Sequence, residues 1–168
     1  MIVVSDSTPL ITLMKAARLG ILARLFGEVL IPEAVFSELT ANASFWDEAE
    51  QIRNSSFIQV VRAKDDERVA FLQRATGLDR GESEAIVFAD ETKADLLLMD
   101  EVAGRRVAKN MNLPLTGSVG VLIRAHQIGL LTAQEAEEAF QSIRSADRHI
   151  SERLIQNALD IIRGGTVV

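Results

Sequence analysis

The apolar positions of this chain fall into short unbroken runs separated by longer stretches where they recur every three or four residues, the pattern of buried strands alternating with amphipathic helices. Five runs are predicted strands: Ile2 to Ser5, Glu28 to Ile31, Phe57 to Val61, "DLLLMD" as the central one, and the short "LPLTG". Thr8 followed by Pro9 marks a helix start, because proline at the first helical position loses no needed N–H and threonine caps it. That helix runs through Ala17 and is followed by "ILARLFG". Pro32 opens the helix "PEAVFSELTA", and "FWDEAEQIR" carries Phe45, Ala49 and Ile52 at helical spacing. "GLDRGESEAIVFADETKA" reads as a turn and then a helix, and "EVAGRRVAKNMN" and "SVGVLIRAHQIG" are helical, the second closed by Gly129. Thr132 and Glu135 form a capping box for "AQEAEEAFQSI", and Ser151 opens a last helix that stops at Gly164. The alternation predicts an α/β fold, a sandwich of three layers whose central, mainly parallel sheet is covered by helices on both faces. No long linker or repeat breaks it, so residues 1–168 are read as one domain, with the C-terminal helices, residues 133–163, packing on it or extending it.

In such a sheet ligands gather at the carboxyl ends of the strands, where Asp6 and Asp100 stand. Capping of the next helix is the competing role for each; Thr8 and Pro9 take it from Asp6, and nothing takes it from Asp100. Glu38 follows Ala34 and Val35 by four and three residues, which places it on the stripe that faces the core. It also sits in the last turn of its helix, where the macrodipole disfavours a negative charge, so a cation or an arginine is expected beside it. In "GESEAIVFAD" helical geometry sets Glu82 on one stripe with Ala85, Ile86 and Ala89, while Glu84 lies about 200° away on the side of Val87 and Phe88. Glu82 is therefore the better inward ligand, although Asp79 and Glu82 are also spaced as a capping box. Four acids drawn together would repel one another, and a hard divalent cation resolves the conflict: magnesium or manganese suits an all-carboxylate site.

Composition narrows the chemistry further. With no cysteine, disulfides, thiolate nucleophiles and cysteine-based zinc sites are excluded, and the two histidines, His126 and His149, are too far apart for a local metal motif and are read as structural. A net charge of -6 is the wrong sign for a protein that coats nucleic acid, so a polyanionic substrate must be met by a metal or a local basic patch. "GRRVAKN" offers Arg105, Arg106 and Lys109 near Asp100, with Arg105 and Lys109 as candidate phosphate contacts; a solvated basic helix face is the competing reading. Phe45 and Trp46 could form a partner or dimer surface, although core packing is the commoner fate of such residues. No apolar run reaches about 18 residues and no signal peptide is evident, so the expected location is the cytoplasm, away from membranes.

The acids and their surroundings, "VVSDSTPLI", "IPEAVFSEL", "GLDRGESEAIVFADETKADLLLMDE" and "LPLTGSVGVLIRA", together resemble the PIN-domain family of small metal-dependent nucleases, over most of the chain. The branch it looks most like is an uncharacterised prokaryotic one related to the toxins of type II toxin-antitoxin modules. The resemblance implies a parallel sheet sandwiched by helices and hydrolysis of RNA phosphodiesters with magnesium or manganese. It places the family's acids on Asp6, Glu38, Asp100 and, in place of the usual aspartate, Glu82, with Ser7 or Thr8 as a supporting hydroxyl; Glu84, on the side of Val87 and Phe88, stays a supporting candidate on helical geometry alone. It also implies a small antitoxin partner and a homodimer. Two other readings stand beside it. A non-catalytic interaction or nucleic-acid-binding protein could keep the same fold, and a receiver-like phosphoacceptor would need a lysine after the last strand, which "LPLTGS" lacks. No phosphate-cradling glycine motif supports a nucleotide-binding module.

Overall fold

Five short strands, β1 (Val3–Ser5), β2 (Val29–Pro32), β3 (Ile58–Val61), β4 (Leu96–Leu98) and β5 (Leu115–Thr116), pair side by side in the order β3-β2-β1-β4-β5, every pairing parallel. The structure is a computed structural model and describes residues 1–146 and 150–164. His149 lies outside the described residues.

Ten helices connect and cover the strands among the described residues: α1 (Ser7–Lys15), α2 (Ile21–Phe26), α3 (Glu33–Ala41), α4 (Trp46–Asn54), α5 (Asp66–Thr76), α6 (Arg80–Glu91), α7 (Val102–Asn110), α8 (Ser118–Gln127), α9 (Ala133–Ala146) and α10 (Glu152–Ile162). The period-two alternation of a strand sends neighbouring side chains to opposite faces and so builds two cores. Val3, Val29, Ile31 and Leu98 join Leu10, Leu13, Leu22, Leu122 and Phe140 on one face. Val4, Leu97 and Met99 join Ala85, Ile86, Val87 and Ala108 on the other. A three-layer α/β sandwich results, as the apolar pattern predicts. Helices α9 and α10 pack on α8 and on each other, and α9 also meets α1.

Two details depart from the sequence reading. Helix α5 is not among the predicted ones: only Val69 on it is buried, and Phe71 is exposed, so its apolar stripe is too thin to announce it. Helix α1 begins at Ser7 rather than after Thr8, with Asp6 at the cap position and no side-chain cap bond there. Thr8 is thus inside the first turn, where its hydroxyl is available to a distant partner.

The strand order decides where chemistry can be placed. From β1 the chain winds outward to β2 and β3, then returns to the other side of β1 with β4 and β5. The connections after β1 and β4 therefore leave the sheet in opposite directions, which opens a crevice at their carboxyl ends. Asp6 follows β1 directly, and Asp100 and Glu101 come just after β4.

Candidate metal centre

Asp6 is the most enclosed acid in that crevice. It is 1% exposed, its backbone N–H donates to Leu98 O at 3.0 Å, and its Oδ1 has no hydrogen-bond partner among the described residues. Burial pushes its carboxyl up to about 8, the Ser7 backbone N–H pulls against that, and Glu82, Glu38 and Asp79 add repulsion in the same upward direction.

Glu82 reaches the same region from α6. Its first-turn position is fixed by a reciprocal capping box, with Asp79 N donating to Glu82 Oε2 at 3.0 Å and Glu82 N donating to Asp79 Oδ1 at 2.8 Å. The competing capping role is thus real, yet it uses only one carboxylate oxygen. Oε1 is buried and unpartnered. Desolvation raises the Glu82 carboxyl, and repulsion from Asp79, Glu101 and Glu38 adds to it, against the Asp79 N–H. A Cβ on Gly104 of α7 would stand 3.1 Å from Oε1 and collide with Met99, so the absence of a side chain there lets α7 close over this oxygen.

Glu38 faces the crevice from the end of α3 and is open to solvent, not sunk in the core as its stripe suggests. Packing of α3 on α6 brings Gly81 so close that a Cβ there would be 3.1 Å from Glu38 Oε2. Partial desolvation raises its carboxyl, a hydrogen bond from the Ser7 hydroxyl lowers it, and Asp79 and Glu101 raise it. Among the described residues no arginine forms an ion pair with it. Ser7 is thereby a positioning residue that ties the first turn of α1 to the last turn of α3.

Glu101 is the acid the sequence reading missed. It belongs to the mutual repulsion of Glu38 and Glu82, and Thr8 Oγ1 donates to its Oε1 at 3.3 Å. The signal is the consecutive pair "DE" after β4: at a strand end two adjacent acids point to different sides. Asp100 itself accepts from Ser118 N at 2.7 Å and from Ser118 Oγ at 2.8 Å. It therefore caps α8, whose own cap residue, Gly117, has no side chain to offer, and not α7 as the competing reading had it. Replacing Asp100 by Ala is expected to destabilise the fold by about 1–2 kcal/mol through loss of this cap. A shift of the urea midpoint reads that loss; an unmoved midpoint would deny the capping role.

Glu84 has a different occupation. It is buried, accepts from Ala34 N at 3.1 Å at the start of α3, and pairs with Arg80 Nε at 2.7 Å, so its charge completes a helix terminus. Arg105 Nη1 donates to Met99 O at 2.8 Å and braces the β4–α7 corner. Arg106 and Lys109 border an exposed groove beside Val102 and Asn110. His126 bonds Leu131 O through Nδ1, which agrees with a structural role.

The two enclosed, unpartnered carboxylate oxygens and their acidic neighbours are an oxygen-only donor set, which fits a hard divalent cation. Among the described residues, no three acids or histidines stand close enough to hold one ion as they are. No helix among them is long and apolar enough to cross a membrane. No curated protein and no solved structure matches the chain. A family model described as a PIN domain matches residues 2–163, which is nearly the whole length. The chain belongs to the PIN-domain family.

Proposed function

We propose that this chain is a divalent-metal-dependent ribonuclease whose acids are Asp6, Glu38, Glu82 and Asp100, joined by Glu101. The observation that carries the reading is the pair of buried oxygens, Asp6 Oδ1 and Glu82 Oε1, that no donor among the described residues satisfies. A buried carboxylate oxygen without a partner costs stability, and a fold keeps such a cost where something else is meant to be met. Asp6, Glu38, Glu82 and Glu101 would hold magnesium or manganese, with Asp100 beside them on its bonds to Ser118 at the start of α8. When bound, such an ion supplies an activated water near neutral pH and charge neutralisation at the scissile phosphate. Ser7 orients Glu38, Thr8 orients Glu101, and the Asp79 cap holds Glu82, so the donors are set by bonds that leave lone pairs over. No residue-based nucleophile is needed.

The test is cleavage of a mixed RNA pool with magnesium or manganese, run together with thermal melts. Glu82→Gln is expected to remove activity and most of the stabilisation by magnesium. Glu84→Gln is expected to keep both, since Glu84 is spent on Ala34 and Arg80. A Glu84 variant that lost the magnesium shift while the Glu82 variant kept it would reverse the assignment. The resemblance of the sequence to toxins suggests a cellular role: overexpression of the active chain should arrest growth, relieved by a small basic or amphipathic partner covering the crevice, with the chain itself a homodimer. Harmless overexpression of an enzyme shown to be active, with only monomer on purification, would refute that role.

A second reading, a nucleic-acid-binding protein that keeps the fold without cutting, is favoured by the spread of the acids. The same RNA pool separates the two, because a scaffold binds and does not cut.

A further inference from the structure

We propose that the cleft beside these acids is a stacking pocket for one unpaired nucleobase of the RNA, with Phe45 as its platform. The inference rests on the ribonuclease reading and adds a place for the substrate next to the bond that is cut.

The cleft has a volume of about 320 Å³, at the small end of ligand pockets. Glu38, Glu101 and Thr8 line it, so it is continuous with the acidic crevice. Its apolar lining comes from Ile11, Met14, Leu39 and Phe45. Phe45 is 54% exposed, an unusual fate for a phenylalanine so close to a core. It ends a 3-10 turn, Ala43–Phe45, whose start is pinned by Ser44 N donating to Asn42 Oδ1 at 2.9 Å, so the ring is carried on fixed backbone. That bond uses the carboxamide oxygen and leaves the Asn42 N–H donors for the edge of a base, while Glu48 brings an acceptor.

Charge decides which part of a nucleotide enters. Glu38, Glu48 and Glu101 line the cleft against a single cation, Lys15, which disfavours a phosphate inside but not an uncharged aromatic ring. The phosphate belongs at the mouth, toward Lys15 and the metal site. Trp46 follows Phe45, is 61% exposed, and carries Arg53 with its guanidinium 5.6 Å from the ring centroid, an aromatic and a cation set for the next nucleotide. A helical peptide would need a row of anchors along a groove, and this cleft offers room for about one ring.

The test uses the wild-type chain with magnesium and single-stranded oligoribonucleotides that differ only by an abasic site, moved in turn along the positions flanking the cut. One abasic position should lower kcat/KM by about five- to a hundredfold, the range of a lost base stack. Phe45→Ala should lose as much on the intact oligonucleotide and nothing more from that abasic site, and Phe45→Tyr should recover most of the loss. Trp46 is the only tryptophan and reports binding without cutting. Its fluorescence should be quenched by the intact oligonucleotide at lower concentration than by the abasic one. An unchanged kcat/KM for Phe45→Ala, or losses that simply add, would overturn the pocket. A wild-type chain that cuts no oligonucleotide with magnesium or manganese refutes the nuclease reading instead. The fluorescence titrations then decide the pocket alone, and overturn it if neither the abasic site nor Phe45→Ala moves the midpoint. Burial of Phe45 in a homodimer or under a protein partner, read by hydrogen exchange, also overturns it.

Discussion

Asp6→Asn should lower RNA cleavage by about a hundredfold or more in kcat, while the metal-free variant at pH 8 melts no lower than the wild type. Both effects come from one cause. Burial raises the wild-type carboxyl to about 8 and three nearby acids add to the rise, so ionising it works against the fold. Asparagine matches its shape and cannot ionise, and its amide N–H groups turn repulsion by Glu38 and Glu82 into attraction. Function is lost for the same reason that stability is kept, because a neutral amide is a poor ligand for a hard cation. Cleavage assays and urea titrations on the same preparations check the two halves. A variant that retained more than about a tenth of the activity would remove Asp6 from the site. One that unfolded readily would show its carboxylate to be structural, as Asp100 is.

The contrast between these two aspartates shows what the sequence made legible. Alternation of apolar runs and helical stripes announced the sheet, its parallel strands and the strand-end position of Asp6, because burial on both faces leaves a local imprint. Glu82 was legible for a similar reason: its neighbours at three and four residues are core. The tasks of Asp100 and Glu84 were not, since their partners are Ser118 and Ala34, 18 and 50 residues away, and a bond between remote residues leaves no period to read. Glu101 escaped because neighbouring acids look equivalent until the backbone turns one toward α8 and the other toward the crevice. Phe45 was legible as either a surface or a core residue, because hydrophobic spacing argues for burial; the short turn before α4 leaves this ring exposed.

Without metal, the protein should lose stability steadily as pH rises from about 5 to about 9, and magnesium should reverse the trend. The folded-state value of Asp6, about 8, lies above its ordinary 3.8, so between those values the folded state binds a proton that the unfolded chain releases. The stabilisation this gives is full below about pH 4 and is lost as pH climbs toward about 8. Glu38 and Glu82 are raised as well and add to the same slope. Asp90, lowered chiefly by its hydrogen bond from Arg68, has the opposite sign and costs stability only as pH falls through the acid range, so the metal-free optimum belongs near pH 5. A divalent cation binds the ionised carboxylates and competes with their protons, so its affinity must grow with pH. At a hundredfold excess over its Kd it stabilises by about 2.7 kcal/mol, and that same magnesium concentration should give a much smaller shift at pH 5 than at pH 8. Melting temperatures at half-unit pH steps, with EDTA and with magnesium, trace two curves that separate toward alkaline pH. Parallel curves would mean that magnesium binds away from Asp6, and a metal-free curve that rose toward pH 8 would mean that the buried acids do not set the balance.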